Sequence, residues 1–423
     1  CSLRCKADGA ALQRKTVDDS LICCLRAGLP AAVPALRFHI ACRRLHTLHG
    51  KGATSMKKTW AGLFLFLLLL YNTGVGRCEQ TSAAAAYVME RTTGRTLLAV
   101  NADQPLPMAS TTKVMTALLA LENGNLDEPV TAGDNAYGVP GTSIYLQRGE
   151  SMTLEQMLYG LMLASGNDAA VAIAEHIGGT VEAFCALMTA RAAELGATNT
   201  RFSTPHGLPA ENHYTTARDL AHIAAAAMGH PVFRQIVSTR RASIPWQGHD
   251  ELRVLNNKNA LLSSYEGATG IKTGYTRAAG RCLVFGAQRG EMELVGVVLN
   301  CPDWFDEAAR LMDLCFARYP WTQAKEDGAA MGTLPVDGGT AAQASVRLLG
   351  ALGAPLAEGE TAQLVMDLPE SVTAPQPAGT QVGWALLQLD GETVARRPVV
   401  LAEAVEKAPS GWERVVDGWP MLR

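Results

Sequence analysis

Apolar residues run together or alternate in short stretches near both ends of the segment from residue 80 to residue 320. Residues 84–90 and 95–101 are two such stretches, separated by a turn-forming triplet at 92–94. Residues 282–288 and 292–300 form a second pair around Arg289-Gly290. Short apolar runs that flank a Gly-containing turn are typical of β-hairpins. The pattern predicts one hairpin early in this segment and one late in it.

Between the hairpins, apolar residues recur at the spacing of amphipathic helices. Residues 153–164, 169–177, 181–195 and 216–228 follow this pattern, and residues 303–319 repeat it as a closing helix. Strands at both ends with helices between them predict an α+β fold. We expect an antiparallel sheet covered by helices, together with a helical subdomain.

Beyond residue 319 the chain alternates Gly- and Ala-rich stretches with short apolar segments at 344–349, 362–367, 382–390 and 392–398. Short strands separated by turn residues predict a small β-rich domain. The expected organisation is therefore a first domain over residues 80–324, a β-rich domain over 325–405 and a tail over 406–423.

The tail places Trp412, Val415, Val416 and Trp419 at helical spacing. This pattern makes the tail a candidate amphipathic membrane anchor, lying on the surface of a bilayer. A Gly and a Pro interrupt it, so a packed or unstructured tail is the alternative.

The N-terminal region carries a targeting pattern at an unusual position. Residues 1–55 are basic, and Met56-Lys57-Lys58 then precede an apolar run at 60–71 and a polar segment at 72–79. Such an order is typical of a secretory signal peptide. We expect residues 56–79 to be that signal and residues 1–55 to be a non-native upstream extension, with a genuine leader as the alternative.

Charge and cysteine content limit the partners. Residues 1–78 hold 12 of the 37 Lys and Arg residues and 3 of the 40 acidic residues, so the rest of the chain is acidic, at about −12. An acidic body argues against a nucleic-acid partner. For Cys185, Cys282, Cys301 and Cys315 we expect buried free thiols, with a Cys282–Cys301 bridge as the alternative.

Candidate chemistry begins at Ser110 and Lys113, which precede an apolar helical run. Residues three apart share a helix face, so the hydroxyl would lie beside the amine. A neutral amine there can activate the hydroxyl as a nucleophile. The pair Ser55 and Lys58 has the same spacing without further chemistry nearby, which shows how weak this motif is alone.

Two later motifs strengthen the first. Ser165-Gly166-Asn167 follows a predicted helix, and Lys272-Thr273-Gly274 lies in a predicted edge strand. Ser-x-x-Lys, Ser-x-Asn and Lys-Thr-Gly in this order form the motif set of penicillin-binding proteins and serine β-lactamases. The joint match is far more specific than any one part.

Acyl transfer assigns each residue of the set a role. Ser110 is the expected nucleophile, Lys113 its base, and Ser165 a proton relay to the leaving amine. The remaining residues are expected to hold the substrate: Asn167 at an amide carbonyl, Lys272 and Thr273 at a terminal carboxylate, Gly274 through close backbone approach, and the backbone N–H groups of Ser110 and Tyr275 as the oxyanion hole.

With these motifs, the sequence resembles the D-alanyl-D-alanine carboxypeptidases, which are low-molecular-mass penicillin-binding proteins. Residues 107–122, 202–217 and 267–283 resemble that family as well, and the likeness covers roughly residues 80–405. Tyr275 after the Lys-Thr-Gly motif resembles the sporulation-associated branch. The resemblance implies a β-lactamase/transpeptidase-like catalytic domain followed by a small β-rich domain that supports it.

The resemblance also implies the partners and the location. The substrate would be a peptidoglycan stem peptide ending in D-Ala-D-Ala, and β-lactam antibiotics would act as inhibitors. The enzyme would need no cofactor or metal, and it would work at the extracytoplasmic face of the cytoplasmic membrane. His206 and His213 lack a matching carboxylate cluster, so we expect His206 to shape a turn and His213 to satisfy local backbone groups.

Three alternatives stay open at this point. A D,D-endopeptidase that cleaves cross-links would share the same chemistry. A class A-like β-lactamase needs a deacylating Glu, and no Glu between Asn167 and Lys272 has an Asn four residues later. A wall-binding or penicillin-sensing protein of weak activity is the third.

Overall fold

The computed structural model of the protein describes residues 80–409, and its N-terminal part is built on an antiparallel sheet. The strands before residue 320 are β1 (Ala85–Glu90), β2 (Thr96–Val100), β3 (Pro129–Thr131), β4 (Ser151–Thr153), β5 (Arg241–Ile244), β6 (Arg253–Asn256), β7 (Ala268–Thr276), β8 (Gly280–Arg289) and β9 (Met292–Leu299).

The helices of this part include all the predicted ones and two shorter ones that were not predicted. They are α1 (Lys113–Asn123), α2 (Leu154–Met162), α3 (Asn167–Gly178), α4 (Val181–Glu194), α5 (Ala217–Ala227), α6 (Pro231–Ser238), α7 (Leu261–Ser264) and α8 (Trp304–Arg318).

The main sheet has five strands in the order β2-β1-β9-β8-β7. Every neighbouring pair is antiparallel, with Tyr87 opposite Val297 and Gly274 opposite Cys282. Strand β7 lies at the edge, as predicted, so one side of its backbone is available to other groups. The two predicted hairpins are confirmed as β1–β2 and β8–β9.

Both faces of this sheet are buried, which explains the nearly continuous apolar runs of β1, β8 and β9. Tyr87 and Val297 point into a core shared with helices α1 to α6. Val88 and Phe285 point the other way, onto Leu311 of α8. The predicted closing helix therefore covers one face, and the helical subdomain covers the other.

Helix α2 begins where its sequence provides a cap. The Thr153 hydroxyl accepts a hydrogen bond from Gln156 N at 3.2 Å, and Gln156 Oε1 accepts one from Thr153 N at 3.0 Å. This reciprocal capping box satisfies two otherwise unpaired amides. The capped helix runs directly into the loop that contains Ser165.

Residues after 320 form a separate β-rich core. Its strands are β10 (Trp321–Lys325), β11 (Ala330–Asp337), β12 (Gln343–Leu348), β13 (Leu352–Pro355), β14 (Gln363–Asp367), β15 (Val372–Thr373), β16 (Gln381–Leu389) and β17 (Glu392–Leu401). A six-stranded sheet has the order β14-β16-β17-β12-β11-β15, and β10 pairs with β13. Val346, Leu387 and Val399 belong to the buried core of these strands.

One arginine joins the two parts. Arg95, at the β1–β2 turn, donates to both carboxylate oxygens of Glu360 at 2.7 Å and also contacts the carbonyl oxygen of Pro355. Both bonds come from the single nitrogen Nη2, and they are charge-assisted, so they are stronger than hydrogen bonds between neutral groups. The early hairpin is thereby tied to the β-rich part.

Several expectations fall on residues that are not described. The upstream extension at 1–55, the signal peptide at 56–79 and the tail beyond residue 409 lie outside the described residues. Between residues 80 and 409, no single helix is long and apolar enough to cross a membrane. Helices α3 and α4 are long and apolar enough only when taken together, and a bend of 83° separates them.

Candidate active site

Ser110 lies in a 3-10 turn, Ala109–Thr112, rather than in the first turn of an α-helix. The helical run expected after Lys113 is α1, which begins at Lys113, and Ser110 lies in the 3-10 turn that precedes it. Ala109 has a positive φ of 50°, and the hydroxyls of Thr111 and Thr112 bond back to carbonyls three residues earlier. These local bonds tighten the turn and present Ser110 ahead of the helix.

Lys113 is fully buried, and its ammonium group faces three acceptors. Lys113 Nζ lies 3.1 Å from Ser110 Oγ, 2.7 Å from Asn167 Oδ1 and 2.9 Å from the carbonyl oxygen of His206. The predicted adjacency of hydroxyl and amine is therefore present. Proton transfer between them needs this heavy-atom distance.

The electrostatic environment favours the neutral amine. Burial lowers the pKa of Lys113 well below its usual value, and the charges of Lys272 and Lys258 lower it further, while Asp168 opposes the shift. Desolvation and like charges both disfavour the ammonium form. Burial is the leading cause of the lowered pKa, and Lys258 is a cation that the motif set does not include.

The second motif occupies the turn between α2 and α3. Ser165 is buried with a positive φ of 63°, which is uncommon for a residue with a side chain. Asn167 is buried at the first position of α3, and its Nδ2 donates to the carbonyl oxygen of Pro140 at 2.7 Å. An amide nitrogen has two hydrogens, so one stays available for a ligand.

The third motif lies on edge strand β7. Lys272 is buried, and its Nζ donates to the carbonyl oxygen of Thr273 at 3.0 Å. Burial, together with the charge of Lys258, lowers the pKa of Lys272 to about 7. A Cβ added at Gly274 would lie 2.9 Å from the backbone nitrogen of Ser110. The strand therefore packs tightly against the Ser110 turn, and only glycine fits there.

These elements enclose a cavity of about 240 Å³. Lys113 and Lys272 are not among the residues that form its wall; each is buried. Tyr275 stands at the rim, with 63% of its side chain exposed. The residues that form the wall are Ser110, Gly141, Thr142, Ser165, Asn167, Leu208, Lys258, Thr273, Gly274, Tyr275, Thr276 and Trp304.

Comparison with known proteins shows the family to which this chain belongs. A family model described as D-alanyl-D-alanine carboxypeptidase matches residues 73–303, and a model of the penicillin-binding protein 5 C-terminal domain matches residues 322–407. The chain belongs to the D-alanyl-D-alanine carboxypeptidase family. The resemblance inferred from the motifs is confirmed, and so is the fold that it implied.

Named relatives span most of the chain. It is 32% identical to D-alanyl-D-alanine carboxypeptidase DacF of Bacillus subtilis, over 77% of this chain and 86% of that protein. It is 31% identical to DacC of Escherichia coli, over 81% and 90%.

Solved structures agree. Penicillin binding protein 5 from Haemophilus influenzae matches with a TM-score of 0.64 and 28% identity, covering 79% of this chain and all of that one. The Streptomyces K15 DD-transpeptidase matches with a TM-score of 0.54 and 37% identity, covering 56% of this chain and 98% of that one.

Six residues of the cavity wall were not among the predicted site residues: Gly141, Thr142, Leu208, Lys258, Thr276 and Trp304. Lys258 is half-buried, and burial lowers its pKa. Its sequence signal was a lysine within an Asn-rich run, Asn256-Asn257-Lys258-Asn259, shortly before the Lys272 strand. Trp304 begins α8 and carried no such signal, because an aromatic residue at a helix start is usually part of the core.

The two histidines have structural roles, as expected. His206 Nδ1 accepts from Leu208 N at 3.2 Å, and His213 Nδ1 accepts from Ser203 N at 3.0 Å. Burial lowers their pKa values to about 3 and about 4. Within residues 80–409 no group of three metal-binding side chains occurs.

The cysteines and Trp246 are the remaining candidate features. The four cysteines in the described part of the chain are free and buried, so the Cys282–Cys301 bridge is not formed. Trp246 does not line the active-site cavity and instead lines a different cavity, bounded by residues 150–152 and 245–252.

Proposed function

We propose that the protein is a serine-type D-Ala-D-Ala carboxypeptidase that removes the terminal D-alanine from peptidoglycan stem peptides through an acyl-enzyme at Ser110. The observation that carries this proposal is the 3.1 Å separation of Lys113 Nζ and Ser110 Oγ at the base of a cavity. Family membership supplies the substrate class.

Acylation uses Lys113 as the general base. The neutral amine takes the Ser110 proton, and Ser110 Oγ attacks the carbonyl carbon between the two D-alanines. The backbone N–H groups of Ser110 and Tyr275 stabilise the oxyanion that forms. Asn167 orients the substrate through its free amide hydrogen, and Ser165 passes a proton to the leaving amine.

The carboxylate of the leaving D-alanine needs a positive environment. Lys258 and Thr273 lie in the cavity wall, and Lys272 is buried next to Thr273. With a pKa of about 7, Lys272 gains a proton readily when a carboxylate arrives. The site therefore favours substrates with a free C-terminal carboxylate over amidated ones.

Water then cleaves the ester and restores Ser110. A β-lactam offers the same groups, a reactive amide and a carboxylate. After ring opening its leaving nitrogen stays tethered to the acyl group, so the departing fragment cannot diffuse away. We expect penicillin to label Ser110 for much longer than the peptide substrate does.

The domain and location assignments belong to the same proposal. Residues 80–324 act as the catalytic domain, 325–405 support it, and 406–423 make peripheral contact with the membrane. Residues 56–79 direct export to the extracytoplasmic face. N-terminal sequencing of the exported protein tests the signal, and membrane fractionation after deletion of 406–423 tests the contact.

The likeness to a protein named DD-transpeptidase favours transpeptidation as a second candidate activity. The same acyl-enzyme transfers its acyl group to an amine in transpeptidation, and cleavage of a cross-link by an endopeptidase passes through it as well. Supplying a D-amino acid or a cross-linked dimer alongside the linear peptide distinguishes these activities by product mass.

A direct assay tests the proposal. Purified protein is incubated with a diacyl-Lys-D-Ala-D-Ala peptide, and D-alanine release is followed beside a parallel reaction with a fluorescent penicillin. Release together with slow turnover of the label supports the carboxypeptidase. Rapid penicillin hydrolysis without D-alanine release would assign the protein to the β-lactamases instead.

A further inference from the structure

A short loop contributes to the wall of the cavity that the Lys-Thr-Gly strand also lines. We call residues 140–146 the pocket loop. Gly141 and Thr142 of this loop line the cavity. The loop has no regular secondary structure, so its position depends on individual hydrogen bonds. Three donors of the loop bond to one side chain that the motif set does not include.

Asp168 is that side chain, and it is 1% exposed. Its carboxylate accepts from Ile144 N at 3.1 Å, from Leu146 N at 3.0 Å and from the Ser143 hydroxyl at 2.6 Å. Hydrogen bonds to an ionised acceptor are about twice as strong as neutral ones. Asp168 therefore fixes the second half of the pocket loop to the start of α3.

The first half of the loop acts on the catalytic motif. The carbonyl oxygen of Thr142 accepts from Asn167 N at 2.7 Å, and that of Pro140 accepts from Asn167 Nδ2 at 2.7 Å. The Thr142 hydroxyl donates to the carbonyl oxygen of Ser165, whose backbone is held at positive φ. The loop thus determines where Asn167 directs its free hydrogen and how Ser165 is held.

We propose that Asp168 is a positioning residue for acyl transfer, acting through the pocket loop to hold Asn167 and Ser165 in their reactive placement. The inference rests on the proposed function. It adds a residue that touches neither substrate nor nucleophile, yet sets the geometry of two residues expected to do so. Small displacements of such groups have large effects on rate.

A second buried aspartate provides a matched control. Asp219 of α5 is 3% exposed and accepts from Asn199 N and from the Thr200 hydroxyl, each at 2.8 Å. It therefore anchors a loop through one backbone amide and one hydroxyl, much as Asp168 does. Asp219 and Thr200 do not line the active-site cavity.

The experiment compares Asp168→Asn with Asp219→Asn, and the milder pair Ser143→Ala with Thr200→Ala, in the full-length protein. Asn places a donor where backbone amides also donate, so both Asp→Asn variants should lower the thermal midpoint. For each variant we measure this midpoint, the acylation rate constant at saturating penicillin, and kcat for D-alanine release. Amide hydrogen exchange of Ile144 and Leu146 reports the loop directly.

Asp168→Asn should reduce the acylation rate constant and kcat at least ~10-fold, since misplacing a reacting group by about 1 Å can cost ~10²-fold. Ser143→Ala should show a smaller loss, on the order of 3-fold, because it removes one anchoring bond of several. Both should accelerate exchange at Ile144 and Leu146. The Asp219 and Thr200 variants should acylate within about 2-fold of wild type, despite a comparable fall in midpoint for the Asp219 variant.

Wild-type acylation in Asp168→Asn, with a midpoint that falls as in Asp219→Asn, would overturn the proposal and leave Asp168 a purely structural residue. If Asp168→Asn does not fold, the Ser143→Ala variant provides the test. An acylation rate constant for Ser143→Ala equal to that of Thr200→Ala would then overturn the proposal. If wild type is labelled at Ser110 but releases no D-alanine, the carboxypeptidase proposal fails. The penicillin acylation constants then still test Asp168.

Discussion

Two regions of the site each bury a lysine, and we propose different roles for the two lysines. The Ser110 turn surrounds Lys113 Nζ with a hydroxyl, an amide oxygen and a backbone carbonyl. The edge strand leaves Lys272 Nζ bonded to the neighbouring carbonyl of Thr273. Burial is the leading cause of a lowered pKa in both regions.

The difference lies in what each amine can reach. Lys113 lies next to Ser110 Oγ, so we propose that its neutral form is the base. Lys272 is buried next to Thr273 of the cavity wall, so we propose that its protonated form attracts a carboxylate. In this proposal one physical cause serves two functions, and position relative to Ser110 determines which function each lysine performs. The predictions below separate these two functions.

Lys113→Ala should produce the largest effect. Removing the base should lower the acylation rate constant by about 10²–10⁴-fold for every substrate, amidated or not. Stopped-flow labelling with fluorescent penicillin measures this constant, and circular dichroism controls for folding. Near-normal acylation in the folded variant would remove Lys113 as the base.

Lys272→Ala should be selective where Lys113→Ala is general. We expect kcat/KM to fall roughly 10–100-fold for peptides with a free terminal carboxylate, because a hydrogen-bonded charge partner is lost. The amidated analogue of the same peptide is the control and should change less than about 3-fold. Equal losses for the two peptides would contradict the carboxylate role.

The pH profile should separate the two lysines without any mutation. As pH falls, Lys113 becomes protonated and kcat/KM decreases for all substrates. As pH rises through about 7, the free enzyme loses the Lys272 proton, so kcat/KM decreases for carboxylate substrates. The amidated analogue should lack this second decrease, and an identical alkaline limb for both would count against the assignment.

Lys272→Met should give the smallest effect, and it concerns stability. The folded pKa of Lys272 lies below its unfolded value, so the unfolded state binds more protons and the lysine opposes folding at neutral pH. We expect the variant to gain about 1–2 kcal/mol in the free energy of unfolding. Because wild-type stability recovers as pH rises from about 7 toward 10.5, the gain should shrink over that range. Urea denaturation at several pH values measures it.

Local patterns in the sequence were sufficient for the architecture. Buried strands β1, β8 and β9 are continuous apolar runs, and helices α2 and α5 are clearly periodic, so their positions follow from spacing alone. Strands β10 and β11 were missed because they are largely exposed and lack clear alternation. The position of β10 depends on its pairing with β13, which is well separated from it in sequence, whereas β11 pairs with the nearby strand β12.

The residues of the site also divide into those that sequence motifs predict and those that they do not. Ser110, Lys113, Asn167 and Lys272 belong to motifs whose spacing implies chemistry. Lys258, Trp304 and Asp168 act through contacts between segments far apart in the chain, and such contacts leave no periodic signal. The 3-10 geometry at Ser110 was also not predictable, because it depends on hydroxyl bonds of Thr111 and Thr112 within the turn.

The most direct test of the acyl-enzyme traps it during turnover. Protein quenched in acid while hydrolysing a diacyl-Lys-D-Ala-D-Ala peptide is digested, and its peptides are mapped by mass spectrometry beside a D-alanine assay. We predict that the peptide containing Ser110 gains the mass of the acyl group, that the Ser110→Ala variant shows no adduct, and that this variant releases no D-alanine. D-alanine release by Ser110→Ala, or an adduct on another residue, would contradict the account.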